Sequence, residues 1–395
     1  MSAFDSVAPA IANVAGVAFN LNQVASSAPL ASGVLNLNNA NLRKFRAALA
    51  RVRAGTGRGS IVFVGDSTTA GAGAGSGGAG NYNGAWAKTY PRAVAARLAT
   101  VFPTSDQSFL MDQGVANQSI AYPAYDPRVT MGANWSQTSS GLAGNMFRFT
   151  AGAVNNLTFT PTGQFDTIVL YSIRAAGQGS FNVTLDAGTA VGTINGNTNP
   201  SITLVTTYTV AKGTHTINIV PVNDGPLNIV GIKTYDSTIP AIDIIQAGLH
   251  GATSGGTSSS QNPWSGVPLL GTLAPSLTVL CLTINDSNAG TALATYTTNM
   301  QAIITAAAAS GDVVLMVGAP SNTTAATDGT LDRYISVLRS LSRTNDIGLI
   351  DLKAIWGSYA ITNPLLPYND TLHPGPLGYQ DIGSIVATAI ARVAQ

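Results

Sequence analysis

Few residues in this sequence can do nucleophilic or acid–base chemistry. The 395-residue chain carries three histidines and one cysteine, and all 18 of its acidic residues are aspartate. Without glutamate, HExxH metalloproteases and paired-glutamate glycosidases are excluded. One thiol and three imidazoles give neither a cysteine/histidine zinc cluster nor an intrachain disulfide. A serine nucleophile with a histidine base is among the chemistries still open, and a hydroxyl attacks only when a base removes its proton. Ser67 is the candidate nucleophile. It closes Gly65-Asp66-Ser67, directly after the apolar run Ser60-Ile-Val-Phe-Val. A turn at the carboxyl end of a strand is where α/β sheets hold ligands. The plain alternative for Ser67 is a helix-capping serine.

The base follows from the three histidines. His373 lies in Asp370-Thr-Leu-His373-Pro-Gly. Three-residue spacing in a turn lets Asp370 hold Nδ1 and leaves Nε2 free to face a serine. His215 reads as a strand residue, and His250 as a contact at the cleft. Acyl transfer also needs donors aimed at the developing oxyanion. Besides the Ser67 N–H, two stretches fit: Gly251 in Gln246-Ala-Gly248-Leu-His-Gly251-Ala-Thr253, and Asn285 in Thr283-Ile-Asn285-Asp286. Turn chemistry is the alternative reading of each. Trp264, His250 and Trp135 are candidate substrate contacts, with Tyr125 and Tyr235 as further walls of a groove. Cys281, inside an apolar run, reads as a core thiol.

These residues need elements to position them. Leu42, Phe45, Leu49 and Val52 recur at helical spacing, with basic residues mostly on the opposite side as a solvated face. Buried strands are expected at Ser60–Val64, Ala241–Gln246, Leu277–Ile284, Val313–Val317 and Ile347–Leu352. Helices are expected around 290–309, 328–342 and 376–393. Between 135 and 236 the period changes to short alternating segments separated by turn clusters, as in a β-sandwich. The expected fold is therefore α/β: a three-layer α/β/α sandwich with a parallel sheet, interrupted by an antiparallel, jelly-roll-like β-sandwich. The expected division is an appendage at 1–38, a hydrolase domain at 39–134 and 237–395, and an insert at 135–236. The insert's own alternation predicts a separate core, a distinct fold unit and two short linkers close to the cleft.

In this order the four blocks resemble the SGNH (GDSL-type) hydrolase superfamily of serine esterases and acyl hydrolases. Gly65-Asp66-Ser67 matches the nucleophile block, Gly248 to Gly251 the glycine block, Asn285-Asp286 the asparagine block, and Asp370-x-x-His373 the C-terminal block. The resemblance covers about 39–130 and 237–395 and implies a flavodoxin-like fold. It departs from the family pattern at Thr68, Gln246 and Thr283, none of which removes a reacting group. A competing glycine block, Gly114-Val-Ala-Asn117, lacks glycine at the oxyanion position.

The resemblance implies a serine esterase needing no metal or organic cofactor. By family analogy its substrate is an acylated, most of all O-acetylated, carbohydrate. The alternatives are a lipid or thioester hydrolase, and a phage-tail or cell-surface protein that binds glycans on a hydrolase scaffold. A net charge of +1 and 9% charged residues give no pull toward nucleic acid. No apolar run is long enough for a membrane span. The start, Met-Ser-Ala-Phe-Asp, is not a recognisable signal peptide. Scarce lysine with abundant threonine, asparagine and glycine points to an extracellular or virion-associated protein. The N-terminal segment is a candidate site of homo-oligomerisation.

Overall fold

The computed structural model describes residues 33–77, 80–105, 120–139, 145–186, 188 and 190–393. Most of the expected appendage and the competing block Gly114–Asn117 lie outside these residues. The α/β part is built on β1 (Val34–Leu35), β2 (Gly59–Gly65) and β3 (Thr104–Ser105). After the insert it continues with β14 (Ile242–Gly248), β15 (Leu277–Cys281), β16 (Asp312–Val317) and β17 (Gly348–Asp351). The sheet order is β1-β17-β16-β15-β2-β14-β3. Counted among themselves, β14, β2, β15, β16 and β17 have the flavodoxin-like order 2-1-3-4-5. All neighbouring pairs are parallel except β1 with β17. The end of the expected appendage is thus an edge strand, with Val34 opposite Ile350.

Alternation in the strands makes the three layers. Ile61 and Phe63 join a cluster with Phe45, Leu49, Val94, Leu98, Ile382 and Val386. Val62 and Val64 point the other way, into Leu270, Met300, Ile303, Ile335 and Leu338. Both faces are covered by helices, which is why the strands read as unbroken apolar runs. The helices run Arg43–Arg53, Tyr90–Leu98 and Pro376–Val393 on the first face, and Gly266–Leu273, Leu293–Ser310 and Thr330–Asn345 on the second.

The insert holds β4 (Val129–Met131), β5 (Trp135–Ser139), β6 (Asn145–Phe149), β7 (Leu157–Phe159), β8 (Phe165–Arg174), β9 (Ser180–Leu185), β10 (Ala190–Asn195), β11 (Ile202–Gly213), β12 (Ile217–Pro221) and β13 (Leu227–Tyr235). They form two five-stranded antiparallel sheets, β10-β9-β12-β7-β4 and β11-β8-β13-β6-β5. The strands begin at Val129, earlier than the expected 135, because β4 pairs with β7.

The core is not separate. Phe147, Leu157, Ile168, Phe181 and Ile217 belong to the same cluster as Phe63 and Tyr90. The outer face of the second sheet supplies Met146, Val169, Tyr171, Ile173 and Val230 to the opposite cluster. Two fully buried rings carry the junction: Tyr122 meets Phe147 edge-on at 5.0 Å between centroids. Nearby, the Arg128 guanidinium pairs with buried Asp126 at 2.8 Å and lies 3.5 Å from the centre of the Trp86 ring.

The two crossings also lie at opposite ends of the sheet. On the incoming side Tyr125 donates to Ala70 O, beside the nucleophile turn, at 2.9 Å. On the outgoing side the Tyr235 ring lies 4.4 Å from the Arg58 guanidinium, at the start of β2. The expectation of two linkers close to the cleft is therefore corrected, and Tyr235 lines no groove at Ser67. With shared apolar clusters, the two parts are expected to unfold together. Calorimetry should give one transition for the whole chain, and replacing 129–236 by a short linker should leave an aggregating remainder. Two resolved transitions, or a folded remainder, would show an independent insert.

Candidate active site

Ser67 begins a one-turn helix, Ser67–Ala70, at the carboxyl end of β2, and the Asp66 carboxylate caps it by accepting from Thr68 N at 2.9 Å. The turn needs close packing against the end of β14. A Cβ on Gly248 would fall 2.2 Å from Ala70 N. Ser67 is 2% exposed, and its hydroxyl lies 2.8 Å from His373 Nε2. His373 Nδ1 lies 2.8 Å from Asp370 Oδ2. A carboxylate only accepts, so Nδ1 carries the proton and bare Nε2 accepts from the serine hydroxyl. Asp370 also accepts from the backbone N–H groups of Leu372 and His373, each at 2.7 Å. Partial burial alone would raise this carboxyl, but the hydrogen bonds from His373 outweigh it and hold Asp370 well below the usual carboxylate range.

The expected donors gather around Ser67. Gly251 sits at φ +75°, with open space where a side chain would be. Among the described residues neither Ser67 N–H nor Gly251 N–H has a hydrogen-bond acceptor. Asn285 donates one amide hydrogen to Ala252 O at 2.9 Å, which leaves the second hydrogen available.

Two supporting residues escaped the sequence reading. Asp286, buried, accepts from both Ser254 N and Ser254 Oγ at 2.8 Å, so Asn285 and Asp286 together tie their helix to the Gly251 loop. Gln246 donates to Thr69 O at 2.9 Å and to Tyr125 Oη at 2.8 Å. A polar residue near the end of a buried strand is the signal that would have marked Gln246.

Other candidates divide. His250 reaches the site, its ring centroid 6.3 Å from that of His373. His215 stays in the insert, 2.9 Å from Asp186. Trp264 is half-buried and packs on the apolar cluster beside Leu270. Trp135 is only 6% exposed, donates to Asn155 O at 2.7 Å and leans on Phe149. It has no free ring face for a ligand, which corrects its assignment to substrate binding. Tyr125 is likewise fully buried. Cys281 is a buried free thiol, its pKa driven well up by burial.

Asp66 is the strained member of the site. Burial pushes its carboxyl up to about 6, against the pull of the Thr68 N–H and of nearby His373. A carboxyl that ionises later in the native than in the unfolded chain stabilises the fold at low pH. That contribution is lost as pH rises from the ordinary carboxylate range through about 6. Asp66→Asn keeps the cap acceptor and removes the charge. Its melting temperature should exceed that of the wild type at pH 7, by roughly 3 kcal/mol in stability, and the gap should close toward pH 4. A gap independent of pH would remove the buried charge as the cause.

Comparison with known proteins follows this geometry. Residues 234–380 match the model of the GDSL-like lipase/acylhydrolase family. No curated protein matches the chain. Among solved structures, a peptidoglycan O-acetylesterase is 14% identical, with a TM-score of 0.65 over 91% of this chain and 99% of that one. A family two carbohydrate esterase from Clostridium thermocellum is 11% identical, with a TM-score of 0.30 over 66% of this chain and 98% of that one. The first has the same fold along nearly its whole length, insert included. The stretch that matches the GDSL-like lipase/acylhydrolase model, residues 234–380, carries the glycine block, the asparagine block, Asp370 and His373.

Proposed function

We propose that the protein is a serine esterase that removes short acyl groups, acetyl above all, from the hydroxyls of a carbohydrate. The observation that carries this reading is the line from Ser67 Oγ through His373 to Asp370, with both hydrogen bonds at 2.8 Å. Ser67 Oγ attacks the ester carbonyl while His373 Nε2 takes its proton, and Asp370 orients and stabilises the imidazolium. Ionised Asp66 nearby favours the same positive charge. Ser67 N–H, Gly251 N–H and the second hydrogen of the Asn285 amide receive the oxyanion. The imidazolium then gives its proton to the departing sugar oxygen, leaving an acyl-serine. Water, deprotonated by the same imidazole, releases the carboxylate and restores the serine.

One feature favours a polar alcohol. Beside the Asp370–His373 turn, a groove of about 710 Å³ is lined by Asn288, Asn322, Thr323, Asp328 and Thr371, among others. Such hydroxyl and amide groups suit a polyol better than a lipid. The neighbour of matching architecture, a peptidoglycan O-acetylesterase, fits this reading.

Acetate release from O-acetylated oligosaccharides, with p-nitrophenyl acetate, butyrate and octanoate in parallel, tests the proposal. Activity should fall with acyl length. Preference for octanoate would favour a lipid hydrolase, and no turnover on any ester would leave a binding protein. Ser67→Ala should lower kcat by several orders of magnitude with the fold intact. Asn285→Ala should cost roughly 3–4 kcal/mol in the transition state, about a hundred- to thousandfold in kcat, with KM little changed. An effect on KM alone would make Asn285 a ground-state contact.

A further inference from the structure

Tyr82 and His250 take no part in the mechanism above, yet they form a hydrogen-bonded pair at its edge, with His250 half-buried. Tyr82 is fully buried, and its hydroxyl lies 3.0 Å from His250 Nδ1. The two rings meet edge-on, 6.0 Å apart. Among the described residues this is the only hydrogen-bond partner of the phenol. The direction of the bond follows from what each atom can do. If Nδ1 carried the proton, the phenol oxygen would accept it and the phenol hydrogen would be left buried without an acceptor. An unmade buried hydrogen bond carries the full desolvation cost of its donor. Tyr82 therefore donates, Nδ1 accepts, and the proton of the neutral ring sits on Nε2. Burial keeps the ring neutral by lowering its pKa; His373 adds to this and Asp370 opposes it.

The position of this donor limits what it can serve. His250 directly precedes Gly251, and its ring lies 6.3 Å from that of His373. The acyl oxygen already has three donors. His373 must reach the departing oxygen, so the alcohol half of the ester lies over His373 and its neighbours.

We propose that His250, its Nε2–H fixed by Tyr82, donates to an oxygen of the alcohol half of the substrate, so that the pair selects polyhydroxylated alcohols over aryl ones. This rests on the esterase reading above. His250 is then a specificity-determining contact and Tyr82 a positioning residue.

The test compares kcat/KM on an O-acetylated xylo-oligosaccharide with kcat/KM on p-nitrophenyl acetate, whose alcohol half has no neighbouring hydroxyl. In His250→Ala the sugar-to-aryl ratio should fall about tenfold, the worth of one hydrogen bond to a neutral oxygen. His250→Gln, which returns an N–H donor, should recover part of it. Tyr82→Phe should lower the ratio in the same direction. Nitrogen-15 NMR of the imidazoles supplies a readout that needs no turnover: His250 should be the Nε2–H tautomer in the wild type and a tautomer mixture in Tyr82→Phe. An Nδ1–H wild-type ring overturns the proposal. So does an unchanged ratio in both His250→Ala and Tyr82→Phe while the wild type cleaves both esters, and that result leaves the esterase reading standing. A wild type inactive on every ester overturns the esterase reading and the substrate role of His250 with it.

Discussion

A 2.8 Å hydrogen bond joins Ser67 to His373 across 306 positions of chain. Neither residue can be placed by its own neighbourhood. Ser67 is delivered by β2, a strand with parallel partners on both sides, and His373 by the turn that feeds the helix Pro376–Val393. That helix packs on Tyr90–Leu98, and both cover the same face of the sheet as Phe63. Tyr379, on its first turns, is fully buried and hydrogen-bonds Ala72 O just beyond the nucleophile turn. The Ser67–His373 distance is thus set by how a terminal helix seats on a parallel sheet.

Holding a polar site at the rim of a dry core has a cost, and Asp66 bears much of it. Its carboxylate caps the helix that begins with Ser67, yet burial works against its charge. Proximity to His373 makes the same charge useful when the imidazole is protonated. Stability and function pull on one side chain in opposite directions, as is common where activity needs an unfavourable ground state. The clamp made by Asn285 and Asp286 shows the contrasting solution, with every buried oxygen of Asp286 satisfied by Ser254.

Much of this was legible in the sequence because the informative signals are local. Unbroken apolar runs gave the parallel strands, and a serine after Gly65-Asp66 and a histidine three residues after Asp370 gave residues that the fold joins by hydrogen bonds. The change of period near 135 gave the insert. What escaped was non-local. Whether the faces of the insert close on themselves or on their host depends on Tyr122 meeting Phe147 and on Arg128 lying between Trp86 and Phe159, pairings that no spacing encodes. Trp135 misled for the same reason, since an aromatic near a cleft in sequence can face inward in space. His250 was placed beside the cleft, but its hydrogen-bond donor, Tyr82, belongs to a glycine-rich loop whose composition carries no period at all.

The chain passes into the insert beside the nucleophile turn and returns at the opposite end of the sheet, at Arg58 and Tyr235. A domain hung from one edge can swing on its two linkers like a lid. One attached at both ends of its host acts as a splint. The torsional freedom that hinge closure needs is missing, because rotation about either crossing would strain the other. Under the esterase reading, a substrate would then reach Ser67 without the insert swinging aside.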